Sequence, residues 1–149
     1  TRAEQIWSGI ANPIATHTTT GVGCVGSNGN PMSMAGVASA RPVIGSTLKV
    51  DVFDVPSAFG GFFMLAGITP ITPGYDLTTI GMPSCTLDLQ IITTDFIPTT
   101  ANAGQWSLAI PSSPIWLGYS IYHQAVGVDL PANTAGFITS QLGTAIVGV

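Results

Sequence analysis

The stretch Thr47-Leu48-Lys49-Val50-Asp51-Val52-Phe53-Asp54-Val55 decides the fold class. Leu48, Val50 and Val52 alternate with Lys49 and Asp51, so apolar side chains take one face and charged ones the other. A period of two is the signature of a half-buried β-strand, and Pro56 ends the run. The same pattern recurs outward from it. A short strand is expected over Met32–Ala38. Gly61–Ile68 holds the continuous apolar run Phe62-Phe63-Met64-Leu65-Ala66, which suits a strand buried on both faces. Cys85–Thr93 alternates with Leu87, Leu89 and Ile91 inward, and Gln105–Ile110 puts Trp106, Leu108 and Ile110 on one face. Gly118–Asp129 and Gly136–Val149 complete the set, and a turn near Ser113–Leu117 is the one helical candidate. About seven or eight short strands with regular turn signals predict an all-β, antiparallel β-sandwich or jelly-roll-like domain.

Composition narrows the function classes. Of 149 residues only 7% are charged and 46% are apolar, against about 25% charged in an ordinary soluble domain. Disorder needs the opposite balance. Arg2, Arg41 and Lys49 are the only fixed positive charges, which excludes the basic patch that a phosphate backbone requires. Glu, Lys and Arg are too scarce for a helical bundle. Gly, Pro or Thr interrupts every apolar stretch before the ~18–20 residues of a membrane-spanning helix. The Pro content speaks against the long strands of a transmembrane barrel. The chain opens at Thr1 without Met or a basic leader, so a removed signal peptide is expected.

Thr1–Thr20 reads as an extended N-terminal arm, and residues 21–149 as a single β-sandwich domain. Pro13 and Thr18-Thr19-Thr20 discourage helix there. Ile6, Trp7, Ile10 and Ile14 make the arm too apolar to stay solvated, so it is expected to serve as an intersubunit strand. The competing reading is an ordinary first strand folded on its own domain. Cys24 and Cys85 sit in turn-like surroundings, Gly21-Val22-Gly23-Cys24 and Met82-Pro83-Ser84-Cys85. Neither belongs to a CxxC pair, so zinc is disfavoured. Two buried thiols or one disulfide both fit these residues.

From Gly21 onward the order and spacing of several segments carry a resemblance. They are Gly21-Val22-Gly23-Cys24-Val25-Gly26-Ser27, Gly45-Ser46-Thr47-Leu48, Phe63-Met64-Leu65-Ala66-Gly67 and Gly81-Met82-Pro83-Ser84-Cys85-Thr86-Leu87. Gly118-Tyr119-Ser120-Ile121-Tyr122-His123-Gln124-Ala125, Asp129-Leu130-Pro131-Ala132-Asn133 and Thr139-Ser140-Gln141-Leu142 follow. In this order residues 21–149 resemble a small secreted all-β domain. That domain often ends large extracellular proteins of planctomycetes and related bacteria. The resemblance implies an extracellular domain with Cys24 and Cys85 paired and no catalytic residue. Thr1–Thr20 lies outside it.

Chemistry-bearing residues are few. His17 and His123 are the only imidazoles. A hydrolase triad needs Ser, His and Asp to converge, and no GxSxG elbow is present. His123 is read as a structural, hydrogen-bonded histidine and His17 as solvent-facing or at an interface. The acids Glu4, Asp51, Asp54, Asp76, Asp88, Asp95 and Asp129 are scattered; Asp51 and Asp54 are the nearest approach to a calcium pair, without an EF-hand loop. No metal or other cofactor is expected. Trp7, Trp106, Trp116, Tyr75, Tyr119 and Tyr122 would form a sugar platform only if they gathered on the surface.

The expectation is therefore a non-enzymatic structural protein of the cell exterior, a self-assembling subunit of a filament, sheath or surface array. A small domain with so little charge exposes broad uncharged surface. Burial between identical copies resolves that, and a head-to-tail contact that does not close propagates. The alternative is a carbohydrate- or cell-surface-binding module, with surface glycans as partners.

Overall fold

The computed structural model describes residues 12–149. The strands in chain order are β1 (Thr16–Thr20), β2 (Ser33–Gly36), β3 (Thr47–Phe53), β4 (Gly61–Gly67), β5 (Pro70–Asp76) and β6 (Thr86–Leu89). They continue with β7 (Thr93–Pro98), β8 (Gly104–Ala109), β9 (Ser120–Val128), β10 (Phe137–Thr139) and β11 (Leu142–Ile146). Single 3-10 turns occupy Thr78–Ile80 and Pro114–Trp116.

The protein is an all-β sandwich with antiparallel strand pairing. The main sheet runs β1-β11-β9-β4-β7, with β10 also paired to β9. The opposing sheet is β2-β3-β8, and β5-β6 form a separate hairpin. Leu48, Val50 and Val52 of β3 are fully buried, as the alternation requires, and meet Phe62, Met64 and Ala125 of the main sheet. The core between the sheets is completed by Met32, Trp106, Ile138 and Val147.

The hairpin explains the continuous apolar run of β4. Leu65 lies opposite Gln124 of β9 on the outer face. Gln124 is fully buried there. Its Oε1 accepts from the Asp88 amide at 3.0 Å, and its Nε2 donates to the Thr86 and Ser140 carbonyls at 2.8 and 2.9 Å. The hairpin thus covers the middle of the main sheet, which is buried on both faces. A buried amide with its hydrogen bonds met does not carry the penalty of an unpaired one.

Cys24 and Cys85 form a disulfide, with Cα atoms 4.9 Å apart. It ties the loop before β2 to the start of β6. The Cys24 amide also donates to the Thr139 carbonyl at 3.1 Å.

The structure corrects several sequence expectations. Cys85–Thr93 is not one strand. Pairing with β5 ends at Leu89, and the Ile92 amide then donates to the Ala66 carbonyl of the main sheet. The alternation loses phase there, so Ile91 points outward and is 49% exposed. Gly136–Val149 is divided by Ser140-Gln141, where the Ser140 amide still bonds the Ala125 carbonyl. Thr16–Thr20, grouped with the arm, is the edge strand β1, paired with β11 of the same chain from Thr16–Ile146 to Thr20–Leu142. Ile6, Trp7 and Ile10 lie outside the described residues, and Ile14 is 67% exposed.

Candidate functional site

Two features stand out: a histidine pair inside the sandwich and an apolar groove at one open end. β1 contributes little to the core. Of its five residues only His17 turns inward, joined by Ala15 just before the strand. His17, expected to be solvent-facing or at an interface, is instead partly buried with its ring turned into the sandwich. Its Nε2 lies 2.7 Å from Nε2 of His123, two strands away on β9. Strands two apart are about 10 Å apart, so the rings meet above the intervening β11. Gly143 stands there, directly opposite His123. A Cβ at Gly143 would overlap His123 Nε2, and one at Gly36 on β2 would come within 2.8 Å of the His17 ring. These two glycines make room for the pair.

One neutral ring donates its Nε2–H and the other accepts. The Trp106 ring packs on His123 with centroids 5.1 Å apart, and its Nε1–H donates to Asp95 at 3.0 Å. His123 is fully buried, and its Nδ1 has no hydrogen-bond partner. Burial, and next the His17 charge, push its pKa down to about 3; the Ile121 backbone pulls weakly the other way without good hydrogen-bond geometry. Burial also lowers His17. Both rings are neutral at physiological pH. Neither Nε2 meets a serine hydroxyl or a carboxylate, so the pair does not have the geometry of a nucleophilic triad. No cluster of three His, Cys, Asp or Glu residues is assembled among the described residues.

The other candidates lie apart. Asp51 accepts from Gln105 Nε2 at 2.9 Å. Asp129 is buried and takes both the amide and the hydroxyl of Ser27, at 2.7 and 2.6 Å. Among the described residues the aromatic candidates do not gather into one platform: Trp106 is core, Trp116 packs on Tyr119, and Tyr75 sits on the hairpin, while Trp7 lies outside them. Phe59, Phe63 and Phe96 instead form an aromatic cluster on the outer face, with centroids 5.3–6.1 Å apart. Sequence reasoning missed it because these residues fall on two non-consecutive strands and a loop.

The groove lies between the sheets, where β4, β8 and β11 end and β7 and β9 begin. It has a volume of about 310 Å³ and is lined by Ala66, Thr93, Leu108, Trp116, Ile121 and Val147, among others. The lining is almost wholly apolar, with Thr93 supplying a hydroxyl and Trp116 an indole N–H. Among the described residues no helix is long and apolar enough to cross a membrane. In comparisons with known proteins, no family model, curated protein or solved structure matches this chain.

Proposed function

We propose that the protein is a secreted structural subunit that assembles with identical copies into a filament, sheath or surface array, through uncharged surfaces and its N-terminal segment. The observation that carries this reading is the margin of the main sheet at β7. This edge strand has no further strand paired to it among the described residues. It contains no Lys or Arg to guard it; its one charge, Asp95, is taken up by the Trp106 Nε1–H, and Pro98 protects only its last position. Phe96 on the strand and Ile68, Ile91, Ile92 and Phe59 around it are each about half exposed or more. An apolar patch beside an open edge marks an interaction surface. The disulfide supports an oxidising compartment such as the cell exterior.

Negative-stain electron microscopy and sedimentation velocity of the purified chain test this. Polymers are expected, and Ile92→Lys with Phe96→Lys is expected to reduce them about tenfold or more with an unchanged circular dichroism spectrum. A wild-type protein that stays monomeric at high concentration overturns the reading. A carbohydrate-binding module is the second reading, resting on the exposed Phe59 and Phe96 of the phenylalanine cluster, whose rings suit stacking on sugar rings. Glycan retention lost in Phe96→Ala would favour it.

A further inference from the structure

We propose that the apolar groove at the open end of the sandwich is the acceptor site for residues 1–11 of a second copy, with Trp7 as the anchoring side chain. This rests on the self-assembly reading above and names the site through which it proceeds. At about 310 Å³ the groove lies at the small end of ligand pockets, which run from roughly 300 to 1,000 Å³. It suits one or two bulky side chains. Its side-chain polar groups are confined to the Thr93 hydroxyl and the Trp116 indole N–H, so it suits an apolar or aromatic side chain better than a strongly polar ligand.

The occupant is argued from where the described chain begins. The Pro13 carbonyl accepts from the Val149 amide at 3.0 Å, and Gly118 beside it donates to the Val147 carbonyl at 2.8 Å. Val147 and Trp116 are groove residues. The described chain therefore begins beside the mouth of the groove, and the residues that precede it in sequence, 1–11, carry Ile6, Trp7 and Ile10. Pro13 has no amide hydrogen to prolong the ladder, and it restricts Asn12 to extended backbone. Eleven residues span up to roughly 36 Å, enough to reach the same groove on an adjacent copy. A segment leaving one end of each copy and filling the groove of the next is a heterologous contact, which propagates when it does not close. Large aromatic anchors in desolvated pockets dominate such contacts.

The test pairs Trp7→Cys with Thr93→Cys, an exposed residue at the groove rim, in the full chain under mild oxidation. The control pairs Trp7→Cys with Ser57→Cys, exposed near the opposite end of β4. A ladder of covalent multimers from the first pair and not from the second is expected on a non-reducing gel. Thr93→Arg should lower polymer yield about tenfold or more while the chain stays folded. A bond between the two introduced thiols of one and the same chain, or equal ladders from both pairs, overturns the proposal. If wild-type chains polymerise without the specific ladder, the groove assignment fails and the assembly reading stands. If wild-type chains do not polymerise, both fail.

Discussion

At the scale of single residues, the buried His123 and the partly buried His17 make stability depend on pH with a definite sign. His123 in the folded protein is held near 3, well below its ordinary value, and His17 is lowered too. The unfolded chain therefore binds more protons than the folded one as pH falls below about 6.5. The stabilisation is complete above that value and is lost progressively towards pH 3. At about 1.4 kcal/mol per pH unit, the full loss for His123 is on the order of 5 kcal/mol. The melting temperature is expected to fall between pH 7 and pH 5, above the ordinary carboxylate range, and His123→Gln should flatten that slope. An identical slope in the variant would contradict the assignment. Gly143→Ala places a methyl group against the His123 ring. It is expected to destabilise the fold by about 1–3 kcal/mol, readable by urea denaturation. The histidine pair was not legible in the sequence. His17 and His123 are 106 residues apart, and nothing local in a Thr-rich strand signals that its one imidazole faces inward.

At the scale of elements, legibility followed the local pattern. β3 was readable because one of its faces is buried and the other is wet. β4 was readable as buried on both sides because the β5-β6 hairpin lies over it. β5 itself was invisible, since Pro70 and Pro73 sit within Pro70–Asp76 and proline is normally a mark against a strand. β7 was hidden because Ile91 and Ile92 continue the apolar character of β6 through the very residues where the chain changes sheets. The disulfide joins the loop before β2 to the start of β6. Closing a loop with a sequence separation of 61 is worth roughly 4 kcal/mol in the chain-entropy model. Reduction should lower stability by a comparable amount, measured as a shifted denaturation midpoint; an unchanged midpoint would show that the bridge adds nothing. The native chain should also resist alkylation until reduced.

At the scale of the whole molecule, the open groove and the β7 margin were beyond sequence reading, because each is built from the ends of strands that are neighbours only in space. The low charge did point to the consequence, an uncharged surface, without showing where it lies. Two truncations separate the roles of the N-terminal region. Removing residues 1–11 is expected to leave a folded chain by circular dichroism that no longer polymerises. Removing residues 1–20 also deletes β1, takes away the partner of His123 and bares the β11 edge, so that variant should be less stable and prone to disordered aggregation. A 1–11 truncation that assembles as before would remove the segment from the account. The pairing of β1 with β11 also imposes an order in time. Thr16 is among the first residues of the described chain to be synthesised, and its partner Ile146 is among the last. Such distant pairings form slowly. The main sheet therefore cannot close before β11 has been made. The groove, which Val147 at the end of β11 helps to frame, is thus among the last features of the fold to take shape.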